Sequence, residues 1–300
     1  MDLRQFKGLG VAMVTPFNEK GAIDFKALEK LTEFLIDRGV NYLVVQGTTG
    51  ESPVLTKDEK QAVLNAVAEK NNGRLPLVFG IGGNNTKAVT EDLKSYDLSK
   101  VDGILSASPY YNKPTQNGIY AHYAAIAQAT DLPIILYNVP GRTASNVLPE
   151  TTLKLAKDFK NIIAVKEASG DLEQIMSIIR EKPDHFLVIS GDDALTLPIL
   201  AAGGDGVISV VGNAFPSQFS TMVQATLDGN MEVARNYHYG ILPIISLLFA
   251  EGNPAGVKES LKELNITEPY LRLPLVRVSN SLKEQIKEHT RNIYKHYPYQ

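Results

Sequence analysis

One lysine in the sequence stands where an amine is well placed to act as a nucleophile. Residues 161–165 (NIIAV) form a short, largely apolar run, and Lys166 follows that run directly. Such a run is typical of a strand that is buried on both faces. Burial disfavours the ammonium form of a lysine, so Lys166 is a candidate Schiff-base nucleophile. The alternative is a lysine whose stem lies along the core and whose ammonium group pairs with an acid at the surface.

Hydroxyl, phenol and guanidinium groups follow other apolar runs of the chain. They lie in the segments 46–52 (QGTTGES), 108–114 (SPYYNKP), 137–143 (YNVPGRT) and 190–193 (SGDD). Together with the lysine they suit a carbonyl substrate that carries a carboxylate. Thr48 and Thr49 can hold that carboxylate, tyrosines can transfer protons, and Arg142 can bind a second carboxylate through two parallel hydrogen bonds.

Each of these segments also has a purely structural interpretation. The Thr48–Thr49 pair is equally consistent with a turn, the two tyrosines at 110 and 111 with an interface, and Arg142 with an exposed turn. Asp192 and Asp193 are more typical of a helix N-cap than of a metal site, and the five histidines show no metal-ligand spacing. These alternatives lose weight because all the segments fall at the ends of predicted strands.

The elements that would position these groups alternate along the chain. Runs rich in Val and Ile alternate with segments of helical periodicity. The predicted strands are 10–15, 42–45, 77–79, 103–105, 133–137, 161–166, 186–189 and 206–210. Eight strand–helix units predict an α/β fold, a (β/α)8 TIM barrel over residues 1–228, with functional groups at the C-terminal ends of its strands. Residues 229–300 predict a C-terminal helical region with little chemistry of its own.

A doubly wound open sheet also alternates strands and helices. The glycine-rich segments 80–83 and 203–206, however, lack the spacing of a dinucleotide-binding motif or a P-loop. The barrel is therefore the favoured fold.

Composition excludes several classes of function. The chain of 300 residues has a net charge of −3 and no basic tract to bind a nucleic-acid backbone. It contains no cysteine, which excludes disulfides and thiolate catalysis. The N-terminus lacks a signal-peptide core, and the longest apolar stretch, 241–250, is too short to span a bilayer. We therefore expect a cytoplasmic protein that binds neither nucleic acid nor a membrane.

Four motifs carry a resemblance to known enzymes. These are GTTGES at 47–52, PYYNKP at 109–114, YNVPGRT at 137–143 and KEASG at 166–170. They resemble the pyruvate-dependent class I aldolase/lyase superfamily, and within it the chain is similar to the dihydrodipicolinate synthase family along essentially its whole length. The resemblance implies a metal-independent lyase without a separate cofactor, which condenses pyruvate with L-aspartate 4-semialdehyde in diaminopimelate and lysine biosynthesis. It also implies a homotetramer built as a dimer of dimers.

The resemblance assigns catalytic roles to four residues. Lys166 forms an imine with pyruvate. Thr48, Tyr111 and Tyr137 match the proton relay of the family, in which the residue at the position of Tyr111 reaches into the site of a neighbouring subunit. Tyr137 also assists imine formation and ring closure.

The resemblance also implies a set of substrate-binding residues. Thr48 and Thr49 bind the pyruvate carboxylate, and Arg142 receives the carboxylate of the semialdehyde. The backbone carbonyl of Ile208 and the region of Gly191 line the pocket.

The lysine-binding regulatory site of the family is only partly present. Three of its residues are retained, namely Ser52, Asn84 and Tyr110. Lys60 and Ala88 stand where lysine-inhibited relatives carry a histidine and a glutamate, and Lys57 stands at a second histidine position. Because added positive charge and a lost carboxylate repel the lysine ammonium group, we expect weak or absent feedback inhibition.

Two other functions remain open from the sequence. N-acetylneuraminate lyases and keto-deoxy sugar-acid aldolases share the lysine and the tyrosine, but they differ at the second threonine and the Gly-Arg pair. Thr49 and Gly141-Arg142 therefore favour the synthase. A barrel that has lost catalysis and only binds a metabolite is disfavoured because the reactive residues are all retained.

Overall fold

Eight parallel strands close into a barrel in the computed structural model, which describes residues 3–297. The strands are β1 (Gly8–Ala12), β2 (Tyr42–Val45), β3 (Leu77–Gly80), β4 (Gly103–Ala107), β5 (Ile134–Asn138), β6 (Ile162–Glu167), β7 (Leu187–Ser190) and β8 (Gly206–Ser209). They follow one another around the barrel in chain order, and β8 pairs with β1, so the sheet has no free edge. The predicted (β/α)8 barrel is confirmed.

Helices connect the strands and cover the sheet. They are α1 (Phe25–Ile36), α2 (Lys57–Asn71), α3 (Thr86–Ser95), α4 (Gln116–Ala129), α5 (Pro140–Thr143), α6 (Pro149–Asp158), α7 (Leu172–Glu181), α8 (Thr196–Ala201) and α9 (Pro216–Leu227). Two predicted helix starts rest on capping side chains. Asp24 accepts a hydrogen bond from the Ala27 N–H, and Thr56 forms a capping box with Glu59.

One local prediction is wrong, and one short helix was not predicted. The first strand is Gly8–Ala12 rather than 10–15, because the chain leaves the sheet after Ala12. The Thr15 hydroxyl instead donates a hydrogen bond of 2.7 Å to the Gly50 carbonyl in the turn after β2. The short helix α5 was not predicted, since four residues that begin with proline carry no helical periodicity.

Side chains alternate between the barrel interior and the helix layer along each strand. On β6, Ala164 packs in the interior, whereas Val165 packs with the residues of the helix layer. The N-terminal end of the interior is filled by Phe6 and Tyr42, whose rings meet edge to face with centroids 6.0 Å apart. Both side chains are fully buried, so the barrel is closed at that end.

Three helices follow the barrel, namely α10 (Met231–Phe249), α11 (Ala255–Glu263) and α12 (Asn280–His296). α10 packs on α9, and α12 packs on both α10 and α11. No helix within residues 3–297 has the length and apolar character needed to cross a membrane.

A buried ion pair ties α11 to the barrel. The ammonium group of Lys258 lies 2.5 Å from the Glu51 carboxylate, and it also donates hydrogen bonds of 2.8 Å to the carbonyls of Thr15 and Tyr270. Both charged side chains are at most 1% exposed. Burial lowers the pKa of Lys258 to about 8, although the Glu51 carboxylate opposes that shift. The attraction between the two charges and the extra carbonyl contacts offset the cost of removing them from water.

The substitution Lys258→Met should lower the free energy of unfolding by about 3–5 kcal/mol, because it leaves the Glu51 carboxylate buried without a cation. Adding Glu51→Gln should recover part of that loss, since the amide carries no charge. Urea denaturation followed by circular dichroism measures both effects. Lys262→Met is the matched control, because Lys262 pairs with Glu268 on the exposed side of the same helix. It should cost at most about 1 kcal/mol, and equal losses at the two lysines would contradict the prediction.

Candidate active site

A cavity of about 510 Å³ opens at the C-terminal ends of the strands. The predicted site residues in its lining are Thr48, Thr49, Tyr137, Arg142, Lys166 and Gly191. These residues come from four different strand ends, as expected for a barrel of this type. The structure therefore brings together most of the residues that the sequence singled out.

Lys166 points into the barrel at the end of β6. The strand register places it beside Tyr137 of β5, and its amine lies 4.2 Å from the centroid of the Tyr137 ring. Lys166 is 5% exposed and Tyr137 is 7% exposed. Within the described chain the Lys166 amine makes no ion pair, so the alternative of a lysine paired with a surface acid does not occur. The amine is instead held in a largely apolar, enclosed position at the cavity.

The residue after Lys166 anchors β6 on its outer side. The Glu167 carboxylate is fully buried and accepts hydrogen bonds of 2.8 Å from the Asn138 amide and 3.0 Å from the Gln174 amide. Burial raises the pKa of Glu167, and these hydrogen bonds oppose the shift. Because Asn138 directly follows Tyr137, this contact also fixes the ends of β5 and β6 relative to each other.

Thr48 and Thr49 begin a 3-10 turn, Thr48–Gly50, directly after β2. The Thr49 side chain is 2% exposed, and its oxygen accepts a hydrogen bond of 3.0 Å from the side-chain amide of Asn253. Thr48 is exposed and lines the cavity. The structural interpretation of this segment as a turn is thus correct, and the same turn contributes both threonines to the cavity.

Gly191 packs directly against the Lys166 side chain. A methyl group at Gly191 would lie 3.1 Å from Cε of Lys166, 2.9 Å from Cβ of Ala168 and 3.0 Å from the carbonyl oxygen of Glu167. Contacts of this kind are closer than side chains tolerate. A glycine at this position therefore leaves the room that the lysine stem occupies.

The two aspartates after Gly191 have different structural roles. Asp192 accepts a hydrogen bond of 3.0 Å from the Ala194 N–H and so stabilises the turn before α8. Asp193 is buried and accepts hydrogen bonds of 3.1 and 3.0 Å from the N–H groups of Val210 and Val211. Burial raises the pKa of Asp193 to about 6. The helix N-cap prediction is therefore wrong for both residues, because α8 begins after Leu195 without a capping side chain, and Asp193 instead joins β7 to the end of β8.

Three predicted residues differ from the rest in their surroundings. Arg142 lies in α5, is exposed and lines the cavity at its rim. The Ile208 side chain is 1% exposed and packs inside the barrel, and Val210 rather than Ile208 is in the cavity lining. Tyr111 is 87% exposed, adopts a positive φ of 77° and does not line the cavity of its own chain.

A second cavity of about 260 Å³ adjoins the first, and both are lined by Thr48, Tyr137 and Arg142. Of the residues predicted for the regulatory site, Ser52 and Tyr110 line this second cavity. Asn84 is exposed and donates a hydrogen bond of 3.2 Å to the Tyr110 carbonyl.

One of the three substituted positions of the predicted regulatory site, Lys60, brings a cation to the second cavity. Lys60 lines it and is about half buried, and burial lowers the pKa of Lys60 while Asp92 opposes the shift. Lys57 donates a hydrogen bond of 3.4 Å to the Asp92 carboxylate. Ala88 is exposed and carries no charge.

Several residues of the C-terminal helical region were missed by the sequence. Ile245, Ser246 and Phe249 of α10, together with Asn253 after it, line the active-site cavity. The C-terminal region therefore forms part of the cavity wall, which the sequence did not indicate. No periodicity or motif in the sequence links Asn253 to Thr49, because their contact joins residues far apart in the chain.

No three His, Asp or Glu side chains lie close enough together to hold a metal ion, as far as residues 3–297 are concerned.

Comparison with known proteins places these observations in a family. The model of the dihydrodipicolinate synthetase family matches residues 5–293. The 4-hydroxy-tetrahydrodipicolinate synthase of Flavobacterium psychrophilum is 53% identical over 293 residues, which cover 98% of this chain and 100% of the relative.

Solved structures agree with this assignment. The crystal structure of dihydrodipicolinate synthase from Aquifex aeolicus is 39% identical, with a TM-score of 0.92 over 97% of this chain and 98% of the other. That of the chloride-inhibited enzyme from Acinetobacter baumannii, complexed with pyruvate, is 36% identical, with a TM-score of 0.93 over 96% and 98% of the two chains. A match of this extent, in sequence and in fold, shows that the chain is a member of the dihydrodipicolinate synthetase family.

Proposed function

We propose that the chain acts as a 4-hydroxy-tetrahydrodipicolinate synthase, which condenses pyruvate with L-aspartate 4-semialdehyde through an imine on Lys166. The observation that carries this proposal is the enclosed Lys166 amine, which lies beside the Tyr137 ring and makes no ion pair within the described chain. Two relatives that carry this name support the same activity, since they are 53% and 51% identical to this chain over 98% and 96% of its length. The amine is the nucleophile that the chemistry requires.

The reaction proceeds in three covalent steps. The Lys166 amine attacks the keto carbon of pyruvate, and water leaves as the imine forms. Loss of a proton from the pyruvate methyl group gives an enamine, whose carbon attacks the aldehyde of the second substrate while the aldehyde oxygen gains a proton. The amino group of that substrate then attacks the imine carbon, closes the ring and releases Lys166 as the free amine.

The cavity supplies groups for the proton transfers. Thr48 and Tyr137 line it, and we assign them to the relay with Tyr111. The relay is incomplete within one chain, because Tyr111 is 87% exposed and lies outside its own cavity. We therefore propose that Tyr111 completes the site of a neighbouring copy, in a homotetramer built from tight dimers that works in the cytoplasm.

Two groups of residues receive the substrate carboxylates. We assign the carboxylate of pyruvate to Thr48 and Thr49, with Gly191 in the lining of the same cavity. Arg142 stands at the rim of the cavity, where a cationic guanidinium group can hold the carboxylate of the semialdehyde.

Incubation with pyruvate and sodium borohydride should give a reduced pyruvyl adduct on Lys166, because borohydride converts the imine to a stable amine. Peptide mapping by mass spectrometry locates the adduct. Lys166→Ala should give none, whereas Lys160→Ala, at an exposed lysine just before β6, should react like the wild type. An adduct that persists in Lys166→Ala would refute the assignment.

A parallel assay with sialic acid separates the synthase from an N-acetylneuraminate lyase. Cleavage of sialic acid without synthase turnover would exclude the proposed activity.

Arg142→Ala should impair use of the semialdehyde more than imine formation, because the guanidinium group stands at the rim and not beside Lys166. We expect the ratio kcat/KM for the semialdehyde to fall by about 100-fold, the effect typical of a lost charged contact, with a much smaller change in the rate of trapping by pyruvate and borohydride. Steady-state kinetics and single-turnover trapping measure the two effects separately. Equal loss in both assays would contradict the role assigned to Arg142.

L-Lysine at about 1 mM should leave most of the activity intact, because Lys60 places a cation in the second cavity and Ala88 supplies no carboxylate to bind an ammonium group. Half-maximal inhibition at micromolar lysine would contradict this expectation. The double substitution Lys60→His with Ala88→Glu should increase the sensitivity to lysine. Lys94→Glu is the matched control, since it makes an acidic change on the exposed surface of α3 outside the cavity lining.

A further inference from the structure

One residue of the C-terminal region, Asn253, forms a hydrogen bond with a hydroxyl group of the active-site cavity, that of Thr49. The side-chain nitrogen of Asn253 lies 3.0 Å from the Thr49 oxygen, and the two side chains are 7% and 2% exposed. Both residues line the cavity that contains Lys166. Asn253 lies between α10 and α11, 204 residues away from Thr49 along the chain.

With the Asn253 amide in this orientation, the contact sets the direction of the Thr49 hydroxyl. An amide nitrogen can only donate a hydrogen bond, so the Thr49 oxygen must accept. A hydroxyl group can donate one hydrogen bond, and in this arrangement the Thr49 hydroxyl does not donate its hydrogen to Asn253. No other partner takes that hydrogen within residues 3–297, so it is free to be donated into the cavity.

The neighbouring contacts hold the same turn in place. The Gly50 carbonyl accepts from the Thr15 hydroxyl, and Glu51 is held by Lys258 of α11. Asn253 stands five residues before Lys258, so the segment that carries it is anchored at the same turn. The position of the Asn253 amide relative to Thr49 is therefore set by contacts that do not involve the substrate.

The other end of the Asn253 amide is unusual. Its oxygen is buried without a hydrogen-bond partner in the part of the chain that the structure describes. An unpaired buried carbonyl is unfavourable. The opposite orientation of the amide would pair that oxygen with Thr49, but it would also consume the hydroxyl hydrogen that a carboxylate needs.

We propose that Asn253 is a positioning residue that makes the Thr49 hydroxyl a donor toward the carboxylate of pyruvate. This inference rests on the proposed function, in which Thr49 binds that carboxylate. Asn253 acts through Thr49 and does not contact the reacting atoms. The C-terminal region thereby contributes to pyruvate binding as well as to the stability of the barrel.

A double-mutant cycle on Thr49→Val and Asn253→Ala tests the proposal. Thr49→Val should raise the KM for pyruvate by about 10-fold and Asn253→Ala by about 3- to 10-fold, with small changes in kcat. The double variant should have the KM of Thr49→Val alone, because Asn253 has nothing left to orient. Effects on KM that multiply would overturn the proposal, since Asn253 would then act independently of Thr49.

Asn253→Asp tests the direction of the hydrogen bond. A carboxylate only accepts, so it would take the Thr49 hydrogen and should raise the KM for pyruvate more than Asn253→Ala does. If Asn253→Asp is instead milder than Asn253→Ala, the amide oxygen faces Thr49 in the native protein and the proposal is wrong. Asn292→Ala and Asn292→Asp, at an exposed asparagine of α12, are the matched controls and should leave the KM unchanged.

Two further measurements keep the outcome clear. Thermal unfolding shows whether a variant is folded at the assay temperature, and a variant that unfolds is replaced by Asn253→Ser, which keeps a small polar side chain. Borohydride trapping of the wild type with pyruvate tests the proposed function separately. Its failure would refute that function, whereas successful trapping combined with multiplying effects on KM would refute only the role of Asn253.

Discussion

Closure of the parallel barrel is the constraint on which the rest of the structure depends. A closed sheet leaves each strand residue only two directions, toward the interior or toward the helices. On β6 this places Ala164 and Lys166 inward and Val165 and Glu167 outward. A shift of one residue would exchange the two sets and place the amine among the helices. The place of Lys166 in the cavity is therefore a consequence of strand register.

Closure at the opposite end has an equally direct effect. Phe6 and Tyr42 fill the N-terminal end of the interior, so the space available to a ligand lies at the C-terminal ends of the strands. The outer polar contact between Asn138 and Glu167 then joins the ends of β5 and β6. The hydrophobic interior and this polar contact together hold Tyr137 and Lys166 beside each other.

The C-terminal helices complete the barrel instead of merely following it. The ion pair of Lys258 and Glu51 lies in the interior and not at the surface, since both side chains are at most 1% exposed. A buried ion pair adds little net stability to a protein. It nevertheless favours the one arrangement of the chain in which the two charges meet, because either charge buried alone is unfavourable. In this protein the arrangement concerned is the turn that carries Thr48 and Thr49. An apolar contact at Glu51 would cover the same area without specifying the direction of that turn.

Local patterns in the sequence were sufficient to predict much of this molecule. Alternation of apolar runs and helical segments predicted the barrel, and the capping residues Asp24 and Thr56 predicted two helix starts that the structure contains. The position of Lys166 at a strand end predicted its place in the cavity. These features depend on neighbours within a few residues, which is the range over which periodicity and capping operate.

The features that were missed depend on long-range contacts. Two such contacts are the hydrogen bond from Asn253 to Thr49 and the ion pair of Lys258 with Glu51. They join residues that lie 204 and 207 positions apart in the chain. No local pattern distinguishes these residues from an ordinary asparagine or lysine near a helix. Asp193 was predicted to cap a helix because an Asp-Asp pair before a helix is a common N-cap. In the structure its carboxylate instead accepts hydrogen bonds from the two N–H groups that follow β8.

The conformation of Tyr111 bears on the proposed contact with a neighbouring copy. A bulky residue at a φ of 77° is strained by about 1–3 kcal/mol, and such strain persists where surrounding structure holds it. The neighbouring Lys113 also has a positive φ, of 49°, while Tyr110 and Tyr111 are both exposed. Within one chain the Tyr110 carbonyl accepts hydrogen bonds from the Asn84 amide and from the Asn112 N–H. Two adjacent exposed tyrosines on a strained loop therefore support the proposed contact with a second copy, which would bury the rings and offset the strain.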